Sequence, residues 1–154
     1  GFSRILAYDP YVSSETCTAS GVVKADLEEV LKQSDLISLH MPVTAETAGI
    51  IGQQALSLMK PTSILVNTGR GPLVDDTALI EALRGRKILC AGVDTHNQEP
   101  LPDDSPYFRL DNVILTDHTA YSTAEAVQDL KAKAAQNIVS VLTGAAPAYP
   151  VNQL

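Results

Sequence analysis

The sequence predicts an α/β fold with a doubly wound parallel sheet, and three observations support this prediction. Short aliphatic runs alternate with segments whose apolar residues recur at helical spacing. Several of these runs are apolar almost throughout, as expected where helices cover both faces of a sheet. The 154 residues, 45% hydrophobic and 19% charged, are enough to bury one core.

Six strands are predicted, because each run is aliphatic or β-branched and ends at a turn signal. They cover residues 4–8 (before Asp9-Pro10), 21–23, 36–40 (before Met41-Pro42), 63–67, 88–93 and 113–115. Four helices are predicted from apolar residues at helical spacing. They cover residues 25–31 with Asp26 as a possible N-cap, 53–59 before Lys60-Pro61, 75–83 before Gly85, and about 123–142 before Gly144. Residues 95–111 are predicted to form a long loop of a kind that is often functional.

Composition narrows the classes of function. The formal net charge of −7 argues against nucleic acid as a partner, because phosphate backbones bind basic surfaces. No apolar run approaches the roughly 20 residues that cross a bilayer, and the first residues show no signal-peptide pattern. Two cysteines, Cys17 and Cys90, fit a reducing compartment, and the three histidines lack the spacing of a zinc site. We therefore expect an acidic, soluble, cytoplasmic protein that binds no metal, nucleic acid or membrane.

Polar side chains follow nearly every predicted strand, at the edge where parallel sheets bind ligands. Arg70 lies between Gly69 and Gly71, and its guanidinium matches a carboxylate with two parallel hydrogen bonds. The two glycines would allow a ligand to approach the backbone closely. His118 follows the sixth strand and offers a base that titrates near neutrality. These residues predict a ligand site at this edge of the sheet.

Five segments resemble the NAD-dependent D-2-hydroxyacid dehydrogenases, in the order of that family. They are ILAYDPY, SDLISLHMPVTAETAGIIG, MKPTSILVNTGRGPLVDDTALIEAL, AGVDTHNQEPLP and NVILTDHTAYST. The resemblance implies an incomplete Rossmann-type sheet, with residues 1–121 as a partial dinucleotide-binding domain. Residues 122–154 would be a C-terminal helix and tail that belongs to, or returns toward, the substrate domain. The family's glycine-rich turn would precede Gly1, so we expect residues 1–154 alone to fold poorly.

The same resemblance implies a role for particular residues. Arg70 would bind the substrate carboxylate, His118 would move the hydroxyl proton, and Glu99 would hydrogen-bond the imidazole, which makes these three catalytic. Tyr121 would join Arg70 in substrate binding, with Ser122 beside it. The positions that match the family's NAD site are Asp9, Pro10, His40, Pro42, Thr47, Thr68, Gly69, Arg70, Asp94, His118 and Ala120.

Some of these assignments have an ordinary structural alternative. Asp9 would accept from the ribose hydroxyls and favour NAD over NADP, yet an Asp before proline is also a common turn signal. Asp94 would accept from the nicotinamide carboxamide. Thr47 could instead cap a helix. His96 is left open as a specificity or a surface residue.

The function expected from the resemblance is hydride transfer between NAD(H) and a D-2-hydroxy acid or its 2-keto acid, in a homodimer formed through the cofactor domain. The alternative is a non-catalytic NADH-sensing scaffold, because the segment HTAYS is similar to one in the C-terminal-binding transcriptional corepressors. The formate dehydrogenase branch of the family uses a glutamine in place of the acid. Glu99 therefore argues against that branch.

Overall fold

The computed structural model describes residues 2–150, which fall into two compact units: one ends at His118 and the other begins at Thr119. The strands of the first unit are β1 (Leu6–Ala7), β2 (Val23–Lys24), β3 (Leu36–Leu39), β4 (Ile64–Asn67), β5 (Cys90–Val93) and β6 (Val113–Leu115). Its helices are α1 (Ser14–Ala19), α2 (Leu27–Gln33), α3 (Gln53–Leu58) and α4 (Asp76–Arg84), with 3-10 turns at Gly71–Leu73 and Pro106–Arg109. The second unit contains α5 (Ala124–Leu142).

All strand pairs are parallel, which confirms the predicted α/β class. Strands β3, β4, β5 and β6 lie side by side in chain order, and β1 pairs with β2 in a separate ladder. The register aligns Leu39 with Asn67, Asn67 with Val93, and Val93 with Leu115. The carboxyl ends of the four strands therefore form one edge, and the residues that follow them are neighbours.

The core packs against one face of the four-stranded sheet. Alternate residues of β3 to β5 are buried, whereas Leu36 and Ile114 on other positions are 41% and 73% exposed. Leu79 and Leu83 of α4 are completely buried, and burying such a side chain stabilises a fold by about 1.5–3 kcal/mol. Helices were expected to cover both faces of the sheet. Within this unit, the core covers one face.

Several boundaries differ from the sequence prediction. The first strand shortens to Leu6–Ala7, the second moves to Val23–Lys24 and the fifth starts at Cys90, whereas β6 lies where it was predicted. Helix α1 was not predicted because it is short and buries only Cys17; Ser13 caps it by accepting from the Thr16 N–H at 3.2 Å. Asp26 does precede α2, but its side chain makes no capping hydrogen bond.

The second unit consists of α5 and a tail that folds back along it. Thr123 caps the helix by accepting from the Ala126 N–H at 3.1 Å. Asn137 exchanges two hydrogen bonds with the backbone of Tyr149, at 3.3 and 3.2 Å. Among the described helices, none is long and apolar enough to cross a membrane. The assignment of this segment to a substrate domain stays a prediction, and residues 151–154 lie outside the described part.

Candidate active site

Arg70, Asp94 and His118 follow three adjacent strands, β4, β5 and β6. The parallel register places the ends of these strands next to one another. The residues that follow these strands therefore lie at one edge of the sheet, where open α/β sheets bind their ligands.

The turn that presents Arg70, residues 67–70 (the Arg70 turn), is tied by a buried asparagine. Asn67 accepts from the Gly69 N–H at 3.1 Å and donates to the Arg70 carbonyl at 3.0 Å. A Cβ on Gly69 would lie 3.0 Å from the Leu39 carbonyl oxygen, so a larger residue would disturb the turn. The exposed Arg70 guanidinium donates to the Gly69 carbonyl at 2.7 Å. Within residues 2–150 no other hydrogen bond of this guanidinium is recorded, so donors remain for a ligand.

His118 and Glu99 are brought together although they are 19 residues apart. His118 Nδ1 lies 3.0 Å from Glu99 Oε2, and both side chains are about two-fifths exposed, at 40% and 38%. Because an ionised carboxylate only accepts, Nδ1 carries the hydrogen, and Nε2 is the ring nitrogen that this hydrogen bond leaves without one. The His118 N–H donates to the Asp94 carbonyl at 2.8 Å. Its φ of 52° lies in the left-handed region, which few residues other than glycine adopt.

Glu99 is held in its ionised form. The hydrogen bond with His118 and a second one from the His96 N–H, 3.0 Å from Oε1, keep the pKa of Glu99 below its ordinary value. A lowered carboxyl pKa contributes stability at pH values above the ordinary pKa of about 4.3, and that contribution is lost as the pH falls through the lowered pKa.

Glu99→Gln is expected to remove this pH-dependent contribution. The difference in unfolding free energy between the native protein and the variant should be largest above about pH 5 and shrink below it. Urea unfolding at a series of pH values measures it. Parallel pH profiles for the two proteins would contradict the stabilised carboxylate.

Asp94 directly follows β5 and is almost completely buried. Thr116 donates to Asp94 Oδ1 at 2.5 Å, which joins the ends of β5 and β6. Thr116 was not singled out in the sequence, because a threonine after a strand carries no local signal of a partner 22 residues away. The predicted contact of Asp94 with a carboxamide stays a prediction.

His96 is buried rather than on the surface, so the surface alternative is wrong. It is 7% exposed, and its Nε2–H donates to the Thr116 carbonyl at 2.9 Å. The loop that follows β5, residues 94–99 (the Glu99 loop), is thereby tied to the end of β6. This loop also packs on Gly71: a Cβ there would lie 2.1 Å from the His96 carbonyl carbon. The close approach that Gly71 permits is thus to the protein's own backbone, not to a ligand as predicted.

Gly71→Ala is therefore expected to destabilise the fold by at least about 2–3 kcal/mol, because backbone atoms must move to admit the methyl group. Gly92→Ala is the matched control, since its Cβ would meet only Val66 Cγ2 at 3.9 Å. Denaturant unfolding compares the two. Equal unfolding free energies for the two variants would show that the Glu99 loop can move to admit the methyl group without loss of stability.

The predicted ribose ligand, Asp9, forms the turn that its sequence context suggests. Its Oδ1 accepts from the N–H groups of Tyr11 and Val12 at 2.8 and 3.2 Å, past the exposed Pro10. Its Oδ2 makes no hydrogen bond recorded within residues 2–150. The turn role is confirmed, and the ribose role stays a prediction.

The remaining predicted cofactor residues of the first unit line the ends of β3 and β4. His40 Nε2 lies 2.8 Å from the Ser38 hydroxyl on the exposed end of β3. Thr47 donates to the Pro42 carbonyl at 2.7 Å and accepts from the Thr44 N–H at 2.7 Å, so it orders a turn rather than capping a helix. Thr68 is exposed in the Arg70 turn.

Two predicted residues belong to the second unit and are described by themselves. Tyr121 is 60% exposed, and Ala120 is also exposed. The Ser122 N–H donates to the Thr119 carbonyl at 2.8 Å, which forms a turn before α5. Their predicted contacts with cofactor and substrate stay predictions.

The groups at the strand ends fit a dinucleotide. Asp9 keeps one carboxylate oxygen for a hydroxyl donor, and the Arg70 turn presents cationic donors. In the described part of the chain, no group of three His, Cys, Asp or Glu side chains is arranged to hold a metal ion.

Comparisons with known proteins find similar sequences over most of the chain. The family described as D-isomer specific 2-hydroxyacid dehydrogenase, NAD binding domain, matches residues 2–120. A glyoxylate reductase of Korarchaeum cryptofilum is 41% identical over 150 residues, which are 97% of this chain and 45% of that protein. A D-3-phosphoglycerate dehydrogenase of Archaeoglobus fulgidus is 41% identical over 141 residues, 92% of this chain and 27% of that protein.

Solved structures give the same result. The crystal structure of D-lactate dehydrogenase with NAD+ from Lactobacillus jensenii superposes with a TM-score of 0.87 and is 33% identical. The match covers 97% of this chain and 48% of that one. The chain thus spans about half, or less, of the length of these relatives.

Proposed function

The chain belongs to the D-isomer specific 2-hydroxyacid dehydrogenases through their NAD-binding domain, which covers residues 2–120, and from this premise we propose that the protein transfers a hydride between NAD(H) and a D-2-hydroxy acid or its 2-keto acid. The observation that carries the proposal is the 3.0 Å hydrogen bond between His118 Nδ1 and Glu99 Oε2. It leaves Nε2 to exchange a proton with a bound hydroxyl or keto oxygen.

His118 and Glu99 act as one acid–base unit in this proposal. In the oxidation direction, Nε2 accepts the hydroxyl proton, and the Glu99 carboxylate stabilises the imidazolium that results. In the reduction direction, the protonated ring returns that proton to the oxygen at C2. The second hydrogen bond of Glu99, from the His96 N–H, keeps the carboxylate aligned during both steps.

Arg70 is the proposed anchor for the substrate. Its guanidinium offers parallel donors to the substrate carboxylate and polarises the oxygen at C2. NAD, when bound, supplies the hydride acceptor. Asp9 would hold its ribose and Asp94 its carboxamide; the residues proposed to line it further are Pro10, His40, Pro42, Thr47, Thr68, Gly69 and Ala120.

The proposal is tested by following NADH absorbance in the full-length protein with keto acids of increasing size, from glyoxylate to pyruvate and phenylpyruvate. Consumption of NADH with any of them supports the dehydrogenase. Tight NADH binding without turnover on the whole panel would favour the NADH-sensing scaffold. Absence of NADH binding would contradict both.

We further propose a cytoplasmic homodimer that is formed through this domain. The support is the family resemblance together with two free thiols, Cys17 and Cys90, which suit a reducing compartment. Sedimentation equilibrium of the full-length protein tests the dimer, and a monomer mass would contradict it.

A further inference from the structure

The Glu99 loop has a second anchor that lies away from the strand ends. Asn97 Nδ2 donates to Asp76 Oδ2 at 2.8 Å and to the Val74 carbonyl at 3.1 Å. Asp76 is the first residue of α4, and Val74 lies two residues before it. The anchor is two residues before Glu99, so its position limits where the Glu99 carboxylate can lie.

Asp76 is itself fixed from the other side. Its Oδ1 accepts from the Tyr107 hydroxyl at 2.8 Å, and Tyr107 is 1% exposed. Burial, followed by the nearby negative charge of Asp76, raises the pKa of Tyr107, so its hydroxyl stays a donor. The carboxylate of Asp76 thus joins the Glu99 loop to the 3-10 turn Pro106–Arg109.

Helix α4 does not need Asp76 as its cap. The preceding residue, Asp75, is the N-cap and accepts from the Ala78 N–H at 3.1 Å. The two neighbouring aspartates therefore have different partners. Asp75 caps the helix, whereas the Asp76 carboxylate accepts hydrogen bonds from side chains on two loops. The charge of Asp76 is favourable in the first turn of α4, but both of its side-chain hydrogen bonds go to loops, which the helix alone does not explain.

We infer that Asp76 is a positioning residue: through Asn97, its carboxylate fixes the loop that presents Glu99 to His118. Asp76 touches neither reacting group. It limits the positions that Glu99 Oε1 and Oε2 can take relative to the His96 N–H and His118 Nδ1, their two hydrogen-bond partners. The kinetic consequence rests on the proposed dehydrogenase function, whereas the geometric consequence does not.

Asn97→Ala in the full-length protein tests the inference without changing a charge. The pKa of Glu99, followed by carboxyl carbon NMR, should rise toward its ordinary value, because its hydrogen bonds loosen. The kcat for keto acid reduction should fall about tenfold with little change in KM, since a small misplacement of an acid–base pair acts on the chemical step. Gln98→Ala, a neutral truncation of the next residue on the same loop, should change neither quantity.

A charge-matched pair at position 76 gives the second test. Asp76→Asn can still accept from Asn97 and donate to the Tyr107 hydroxyl, whereas Asp76→Ala can do neither. Both lose the same charge, so a higher Glu99 pKa and a lower kcat in Asp76→Ala report positioning alone. Tyr107→Phe removes one of the two side-chain contacts of Asp76 but keeps the one to Asn97, so it should lower the unfolding free energy and raise the Glu99 pKa less than Asp76→Ala does.

The inference is overturned if Asn97→Ala and Gln98→Ala share one Glu99 pKa, or if Asp76→Ala and Asp76→Asn do. It is also overturned if kcat follows stability across the whole set, Tyr107→Phe included. A protein that reduces no keto acid, yet shows the expected rise in Glu99 pKa, would refute the proposed function and leave the positioning role standing.

Discussion

His118→Asn is expected to lower kcat for keto acid reduction by about 10²- to 10⁴-fold while NADH affinity changes by less than about twofold. Asparagine has no group that titrates near neutrality, so it cannot exchange the proton. It does tolerate the left-handed backbone at φ 52°, and its amide can donate to Glu99 as the ring does. The variant therefore removes acid–base chemistry and leaves its surroundings in place. His118→Ala should lose at least as much activity, with added backbone strain.

Arg86→Asn provides the control for the backbone. Arg86 is the other non-glycine residue with a positive φ among residues 2–150, at 51°, and it pairs with Asp111 rather than with the site. We expect its kcat to stay within about twofold of the native value. Steady-state kinetics and NADH fluorescence titration measure both variants. Turnover by His118→Asn within about tenfold of the native rate would exclude the proposed base.

The elements that sequence alone could place are those with a local signature. Strands β3 to β6 are apolar runs closed by turn residues, so they were found to within a few residues. Strands β1 and β2 are shorter than predicted, with only two residues of each paired. Within the described residues, β1 has no partner strand on its other side that would extend it. Helix α1 has no apolar stripe to detect; a serine cap and one buried cysteine hold it.

The site divides in the same way. The location of Arg70, Asp94 and His118 at the strand ends could be predicted because each comes within three residues of the end of a strand. The Asp9 turn could be predicted because its partners are two and three residues away. The residues that hold them could not. Asn97 and Tyr107 reach Asp76 across 21 and 31 residues, and no local pattern marks such pairs. For Gly71 a close backbone approach was correctly predicted, but the predicted partner, a ligand, was wrong, since only the fold shows that the His96 backbone lies against it.

Arg70→Ala is expected to raise KM and lower kcat together, with kcat/KM falling by about 10²- to 10³-fold. The guanidinium would hold the carboxylate in both the bound and the transition state, and would polarise the oxygen at C2 as charge develops there. The Arg70 turn should survive the truncation, because Asn67 bonds to backbone atoms of Gly69 and Arg70 and not to the guanidinium. Loss of activity therefore reports the lost cation rather than a lost turn.

Comparing the keto acid with its neutral 2-keto amide distinguishes the loss of carboxylate binding by Arg70 from a general loss of activity. The native protein should prefer the keto acid, and Arg70→Ala should erase that preference, because only the carboxylate needs the cation. Arg70→Lys keeps the charge but loses the paired donors, so we expect an intermediate preference. Arg109→Ala removes an exposed arginine from the 3-10 turn Pro106–Arg109 and should retain the native preference. If Arg70→Ala still discriminates the acid from the amide as the native protein does, another group binds the carboxylate.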